Sequence, residues 1–241
     1  YSSIIADFFA RIKRIQGFNV FFLTGTDEHG LKIQRAAEKQ SMDTKKFCDE
    51  ISKTFRELSK TLNLSNNDFI RTTEKRHFTS VEHLWKILEK KNEIYLSKYS
   101  GWYSVSDEAF YSDEEIEDIE GVKRSKLSGS QVEWVEEESY FFKLSKWQDK
   151  LLQHYDENPD FILPESRKNE VVNFVKKGLK DLSVSRTSFT WGIPVPDNKK
   201  HVIYVWLDAL TNYLSALNFP DTSNNLYKKF WPASIHVIGK D

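Results

Sequence analysis

The apolar run at residues 18–23 and the short acidic turn after it constrain the fold of this 241-residue chain more than any other stretch. The run hardly alternates between apolar and polar residues, which is typical of a strand buried on both faces of a parallel sheet. Gly25 and Gly30 bracket a Thr-Asp-Glu-His turn before a helix predicted from Leu31. Ligands bind at the carboxyl ends of such strands. Asp27 is therefore a candidate ligand-binding residue, unless it only caps the helix.

Helical and strand patterns alternate through the first quarter of the chain. Apolar residues recur at helical spacing in residues 1–15, 31–39 and 44–62, and a short strand is predicted at 68–72. This β-α order predicts an α/β fold with a parallel sheet. Residues 1–15 mix basic with apolar side chains and lack a cleavage site, which indicates an amphipathic helix, not a signal peptide.

The pattern changes after residue 74. A further helix leads into residues 94–142, whose short segments rich in Tyr, Trp, Ser and Gly predict β-hairpins. The acidic run at 113–120 is interpreted as a solvated loop. Helices are predicted again at 144–155 and at 170–180, the second behind a Ser166 cap.

We therefore predict that residues 75–200 are an insertion that splits one α/β domain. The first part of that domain is residues 1–74. The second part, residues 201–241, is predicted to add strands at 201–205 and 235–238.

Composition and missing motifs exclude several functional classes. With 35 basic and 36 acidic residues the chain has no strong basic field, so DNA is not an expected partner. No run of 18 apolar residues predicts a membrane span. The single cysteine, Cys48, favours a quiet buried thiol and a reducing compartment, with the cytoplasm as the default. Walker, His-Glu-x-x-His and Gly-x-Ser-x-Gly motifs are absent, so P-loop and hydrolase functions have no support.

Four motifs in order make the whole chain resemble the methionyl-tRNA synthetases, a family of class I aminoacyl-tRNA synthetases. They are Phe-Leu-Thr-Gly-Thr-Asp-Glu-His-Gly at 22–30, Ser-Arg-Thr-Ser-Phe-x-Trp-Gly at 185–192, Tyr-Val-Trp-Leu-Asp-Ala at 204–209, and His-Val-Ile-Gly-Lys-Asp at 236–241. The resemblance implies a Rossmann-like catalytic domain with a connective insertion. It also implies that the His-x-Gly-His and Lys-Met-Ser-Lys-Ser signatures lie outside this chain, which would be an incomplete catalyst on its own.

The resemblance implies roles for seven residues, five of them at the amino-acid site. Trp206, Ala209 and Tyr213 lie on one helical face, which by itself favours a core stripe. The resemblance implies instead a methionine pocket, in which aromatic rings contact the thioether sulfur. It implies that Asp27 binds the α-ammonium group and that Arg186 pairs with Asp27 as a catalytic residue. Without the resemblance, Arg186 is a surface arginine in a turn.

The implied reaction is ATP-dependent activation of L-methionine, followed by transfer to the 3′ end of tRNA(Met). Gly239 and Asp241 match family positions near the ribose of ATP, although an ordinary turn would look similar. The substrate carboxylate is the nucleophile, so the enzyme needs to orient two anions and to neutralise charge, with Mg²⁺ accompanying ATP.

No metal site is predicted in the protein itself. Many family members carry zinc knuckles of Cys-x-x-Cys pairs, and the first pair corresponds here to Ser104 and Asp107, so no structural zinc is expected. Aromatic residues of the hairpin region are expected to replace the metal by packing. The consecutive Asp27, Glu28 and His29 point in different directions and are not expected to share an ion.

Two alternatives stay open. Another class I synthetase, for leucine, isoleucine or valine, would share the fold, but its editing insertion is usually much larger than residues 75–200. A non-catalytic tRNA-binding paralogue would also keep the fold, although it has no need of Asp27 and Arg186 beside an aromatic pocket.

Overall fold

The computed structural model describes residues 1–107 and 109–239, and within these ranges it contains nine α-helices and eleven β-strands. The helices are α1 (Ser2–Ile15), α2 (Leu31–Lys39), α3 (Thr44–Thr61), α4 (Lys75–Lys90), α5 (Gln148–Glu157), α6 (Glu165–Lys176), α7 (Val205–Leu210), α8 (Asn212–Ser215) and α9 (Asn225–Phe230). The strands are β1 (Leu23–Thr26), β2 (Asp68–Arg71), β3 (Ile94–Ser104), β4 (Ala109–Tyr111), β5 (Ile116–Ile119), β6 (Val122–Ser125), β7 (Glu133–Phe142), β8 (Leu182–Ser183), β9 (Ser185–Arg186), β10 (Pro194–Val195) and β11 (Asn198–Ile203).

A parallel pair of strands, β1 and β2, carries the candidate ligand-binding turn at its carboxyl end. Gly25 of β1 permits the close pairing, because a Cβ atom there would collide with the carbonyl oxygen of Ile70 in β2. Helix α2 occupies the predicted residues. The α/β class with a parallel sheet is therefore confirmed, with two strands in the parallel sheet.

The first strand begins later than the sequence predicts. Of residues 18–23, only Leu23 belongs to β1. Immediately before it, the N–H of Phe22 donates to the side-chain oxygen of Asn67 (2.9 Å) and the carbonyl of Phe22 accepts from the N–H of Asn67 (2.8 Å). At Phe22 both backbone hydrogen bonds therefore go to one residue, Asn67, and not to a neighbouring strand.

The predicted hairpin region, residues 94–142, forms antiparallel strands. β3 pairs with β7 from Ile94 to Tyr103, in a four-stranded sheet of order β4-β3-β7-β8. β5 and β6 make a separate hairpin. The acidic run at 113–120 is therefore not a plain loop, because a 3-10 turn and β5 occupy most of it.

Helix α4 forms the main core by packing against the four-stranded antiparallel sheet and the strands that follow it. Its buried Val81 and Trp85 belong to one apolar cluster with five residues of later segments, namely Ile94, Val184, Ile193, Val195 and Ile203. The ring of Trp85 also meets that of Tyr140 edge-to-face, with centroids 5.1 Å apart. Helix α4 is consequently part of the main core, through both Val81 and Trp85.

Helix α6 differs from its predicted bounds at both ends. It starts at Glu165 behind Pro164, so Ser166 is not the cap. It ends at Lys176 because Gly178 adopts a left-handed φ of 103°, which a glycine tolerates without a Cβ clash.

The predicted strands of residues 201–241 are only partly observed. β11 ends at Ile203, because Tyr204 already precedes the first turn of α7. Residues 235–238 form no strand within the described part of the chain, since no neighbouring strand pairs with them and Ile238 is exposed. None of the described helices is long and apolar enough to cross a bilayer.

Candidate active site

Asp27 and Glu28 follow β1 and point in different directions. Asp27 is exposed, whereas Glu28 is buried. The carboxylate of Glu28 accepts hydrogen bonds from Thr26 Oγ1 (2.6 Å), Thr73 Oγ1 (2.6 Å), Arg71 Nε (2.7 Å) and Arg71 Nη2 (2.9 Å). Because Glu28 is drawn into the protein, its neighbour Asp27 faces outward.

Glu28 is also held through its main chain and its charge. Its N–H donates to Thr72 Oγ1 (2.9 Å), and its carbonyl accepts from Trp191 Nε1 (2.6 Å). Burial alone would raise the pKa of the Glu28 carboxyl, but the hydrogen bonds from Arg71 and the two threonines outweigh it and lower that pKa. The turn is therefore fixed by a buried anion at neutral pH.

Asp27 does not cap α2. The N-cap residue is Gly30, whose φ of 103° favours glycine, and no side chain caps the helix there. The capping alternative is wrong, and the Asp27 carboxylate instead accepts from the N–H of His29, two residues further on (3.5 Å).

A cavity of about 670 Å³ opens beside the turn. Both Asp27 and Tyr213 line it, together with residues of α1 and of the segment after α9. The ring of Tyr213 meets the His236 ring edge-to-face, with centroids 4.6 Å apart. Burial lowers the pKa of His236, so this ring is neutral at pH 7. The structure thus brings the predicted ammonium-binding carboxylate and one predicted aromatic residue to the same cavity.

Trp206 and Ala209 are placed differently. Both lie on α7, whereas Tyr213 lies on α8, and Thr211 separates the two short helices. Trp206 is 46% exposed, and neither it nor Ala209 belongs to the described wall of the cavity. Two of the four predicted methionine contacts therefore share the cavity, and the other two lie on the neighbouring helix.

Arg186 is buried, so it is not a surface arginine in a turn. Its guanidinium lies 3.9 Å from the ring centroid of Tyr204 and donates to the carbonyl of Ser185 (2.9 Å). Its Nε is 3.4 Å from Oε1 of Glu137. The predicted ion pair with Asp27 does not form among the described residues, because β9 directs Arg186 towards Glu137 on β7.

The predicted ATP residues lie at the very end of the described chain. A Cβ atom at Gly239 would collide with Oγ of Ser2, so the chain passes close to the start of α1 at this point. Asp241 lies outside the described residues.

The hairpin region contains a hydrogen-bonded cluster at Ser104 and Asp107, the positions that the sequence analysis matched to a zinc-binding cysteine pair. The carboxylate of Asp107 accepts from Tyr111 Oη (2.8 Å), Ser128 Oγ (2.5 Å) and Ser130 Oγ. The N–H of Asp107 donates to Ser104 Oγ (3.2 Å). Although burial opposes it, these hydroxyl donors lower the pKa of Asp107 to about 2. Hydroxyl groups around one carboxylate thus hold this turn together.

Residues 1–107 and 109–239 contain no group of three His, Cys, Asp or Glu side chains that could hold a metal ion. Cys48 is buried, and this burial raises the pKa of its thiol to about 11. A thiol with that pKa is protonated at neutral pH and is a poor nucleophile.

One buried cluster was missed by the sequence analysis. Asp208 lies between the predicted pocket residues and contacts two histidines, the fully buried His77 (2.8 Å) and His29 (2.6 Å), whose side chain is 6% exposed. The available signal was an acidic residue in an otherwise apolar Val-Trp-Leu-Asp-Ala-Leu helix, because a buried charge requires polar partners.

Known proteins resemble the whole of this chain. The family model described as tRNA synthetases class I (M) matches residues 1–122 and 118–241. A methionine–tRNA ligase of Rickettsia felis is 57% identical over 241 residues, which are 100% of this chain and 46% of that relative. A methionine–tRNA ligase of Brucella suis is 52% identical over 241 residues, 100% of this chain and 47% of that relative. The chain therefore spans about half the length of the curated relatives that it matches.

A solved structure is similar in both sequence and fold. The crystal structure of Mycobacterium tuberculosis methionyl-tRNA synthetase bound by methionyl-adenylate superimposes with a TM-score of 0.94 at 48% identity, covering 97% of this chain and 46% of that one. The apo form of the same synthetase gives a TM-score of 0.80 at 45% identity, and the match covers 97% of this chain and 44% of that one.

Proposed function

This chain belongs to the family of class I tRNA synthetases (M), and from that premise we propose that the protein is a methionine–tRNA ligase. It activates L-methionine with ATP to methionyl-adenylate and transfers the methionyl group to the 3′ end of tRNA(Met). The proposal rests on one observation above all: the match over 97% of the chain to a synthetase bound by methionyl-adenylate.

The candidate site suits a small zwitterionic substrate. A cavity of about 670 Å³ is of the size that small-molecule sites have. In our proposal the Asp27 carboxylate binds the α-ammonium group, and the Tyr213 ring contacts the apolar side chain with its sulfur. Trp206 and Ala209 on α7 complete the pocket from the neighbouring helix. The buried Glu28 supports this arrangement, because it fixes the turn from which Asp27 projects.

The chemistry requires orientation and charge neutralisation. The methionine carboxylate attacks the α-phosphorus of ATP and forms an oxygen–phosphorus bond. The bond between the α-phosphorus and pyrophosphate breaks, and pyrophosphate leaves with the electron pair. ATP enters as its Mg²⁺ complex, and we assign Gly239 and Asp241 to the adenylate. We keep Arg186 as a proposed catalytic residue. Its guanidinium contacts the ring of Tyr204, the residue directly before α7, so its positive charge lies next to the helix that carries Trp206 and Ala209.

We further propose that residues 1–74 and 201–241 are the two parts of the catalytic domain and that residues 75–200 are the connective insertion. The antiparallel sheet of residues 94–142 supports this division, because it differs in topology from the β1–β2 pair. We place the reaction in the cytoplasm, in agreement with a single, buried, reduced cysteine.

The test is methionine-dependent ATP–pyrophosphate exchange by the full-length protein. The variant Asp27→Ala is expected to lose kcat/KM for methionine by about 30-fold or more, because truncating one partner of a charge pair at a binding site costs about 2–5 kcal/mol. The variant Asp156→Ala removes another exposed carboxylate, from α5, and is expected to retain full activity.

Each result has a distinct meaning. Near-normal exchange by Asp27→Ala would contradict the role of Asp27 without touching the function. Exchange by the unaltered protein with leucine, isoleucine or valine, and not with methionine, would replace the proposal with another class I synthetase. No exchange with any amino acid would support the non-catalytic paralogue.

A further inference from the structure

We propose that Asp208 is a positioning residue that fixes the relative positions of three segments of the methionine site. It holds the turn after β1, helix α7 and helix α8 together through His29, His77 and Ser215. This inference rests on the proposed function, because it assigns to the cluster the task of aligning the methionine contacts. It concerns residues that have no predicted contact with substrate themselves.

The cluster is continuous, buried and hydrogen-bonded throughout. Oδ2 of Asp208 lies 2.6 Å from Nδ1 of His29, and Oδ1 lies 2.8 Å from Nε2 of His77. The other ring nitrogen of His77 lies 3.0 Å from Oγ of Ser215. All four side chains are withdrawn from solvent.

The positions of these residues in the chain give the cluster its meaning. His29 follows Asp27 by two residues on the turn after β1. Asp208 lies on α7 between Trp206 and Ala209, the other two predicted contacts. One carboxylate therefore connects the segment that carries the predicted ammonium-binding group to the segment that carries two pocket residues.

The third segment is connected in the same way. Ser215 follows Tyr213 by two residues on α8, and it meets the cluster through His77. His77 itself lies in the first turn of α4, the helix whose Trp85 is in the main core. The cluster is thus attached to a helix of the main core on one side and to the site on the other.

Short helices need such an anchor. α7 has six residues and α8 has four, and helices of that length are not stable by themselves. Apolar contacts are non-directional, whereas hydrogen bonds to both oxygens of one carboxylate fix distance and orientation. A buried carboxylate is also a poor choice for stability alone, because apolar residues at such places are often as stable or more so.

The protonation pattern of the cluster follows from the donors available. Burial by itself would raise the pKa of Asp208, but the hydrogen bonds from His29 and His77 lower it, so the carboxylate is ionised. An ionised carboxylate only accepts hydrogen bonds, so His29 donates through Nδ1–H and His77 through Nε2–H.

Glutamine at position 77 can place an amide N–H near the position of the histidine Nε2–H, and leucine cannot. His77→Gln is therefore the conservative variant and His77→Leu the disruptive one.

The kinetic test measures ATP–pyrophosphate exchange by the full-length protein. His77→Leu is expected to raise KM for methionine about tenfold or more, because displacement of positioned groups by about 1 Å is costly. KM for ATP should stay within about twofold, since the predicted ATP contacts are on another segment, and His77→Gln should restore KM for methionine to within about threefold. The matched control is Ser80→Ala, which removes a buried hydrogen bond to the Phe219 carbonyl (2.6 Å) from the same helix without touching Asp208.

A second measurement needs no activity. Hydrogen–deuterium exchange of residues 23–30 and 205–215 should accelerate in His77→Leu and remain slow in His77→Gln and Ser80→Ala. If His77→Leu does not fold, the near-isosteric Asp208→Asn takes its place with the same expectations.

The outcomes separate this inference from the proposed function. Equal rises in both KM values, or a similar effect of Ser80→Ala on KM for methionine, would overturn the inference and leave only a structural role. Unchanged hydrogen exchange in His77→Leu would also overturn it. If the unaltered protein does not activate methionine, the proposed function fails and the methionine-positioning role is overturned with it. The hydrogen–deuterium exchange rates still show in that case whether the cluster holds the three segments together.

Discussion

The buried ion pair between Glu28 and Arg71 allows a quantitative prediction. Substitution of Glu28 by glutamine keeps the shape but removes the charge that faces Arg71. It also replaces one carboxylate oxygen with an amide donor, although each oxygen accepts from one threonine and from Arg71. The side chain of Glu28 is 5% exposed and that of Arg71 is 14% exposed. Water can therefore do little to stabilise the charge of the guanidinium once its partner is neutral. Arg71 has a second partner, Asp49, at 2.7 Å, but that carboxylate is 39% exposed.

The expected loss follows from these exposures. Breaking a buried pair from one side costs about 3–5 kcal/mol, and the remaining Asp49 places Glu28→Gln at the low end, about 3 kcal/mol. For a folding unit of this size that loss lowers Tm by about 6–12 °C. The matched variant, Asp49→Asn, removes the exposed partner of the same arginine and should cost less than about 1 kcal/mol.

The assay is thermal unfolding of the full-length protein as a function of pH. The folded-state pKa of Glu28 is below its ordinary value of 4.5, so its contribution is fully present above that pH and is lost as the pH falls through the folded pKa. The difference in Tm between the unaltered protein and Glu28→Gln should therefore be constant from neutral pH to about 5 and shrink below about 4.5. Equal effects of Glu28→Gln and Asp49→Asn, or a difference that grows in acid, would refute the reasoning.

Two predictions concern the hairpin region. Asp107→Asn should lower stability by about 1 kcal/mol, a small effect because the carboxylate is largely exposed, and thermal unfolding measures it. Since the pKa of Asp107 is about 2 in place of 3.8, this difference should persist down to about pH 4 and fade towards pH 2, and an earlier loss would contradict the assigned hydrogen bonds. Treatment with a chelator should leave Tm unchanged and elemental analysis should find substoichiometric zinc, whereas one zinc per chain would show that the protein binds the metal after all.

The elements that the sequence predicts well are those whose hydrogen bonds are local. Helix α2 is observed at the predicted residues, and α3 ends one residue early, because the spacing of apolar residues is a property of the helix itself. The antiparallel strands within 94–142 are also predicted, since turn residues separate short aromatic segments there. The strand predicted at 235–238 is not observed, because a strand also needs a neighbour that local sequence does not reveal.

The candidate site shows the same division more sharply. Asp27 follows from the amino-acid order, because glycines and an apolar run mark the end of its strand. Its supporting contacts do not: Glu28 and Arg71 are 43 positions apart, and His29 and Asp208 are 179 apart. Arg186 meets Glu137, not the predicted Asp27, for the same reason. The partners of a buried charge are chosen by how distant segments pack, and that choice is made only when the chain has folded.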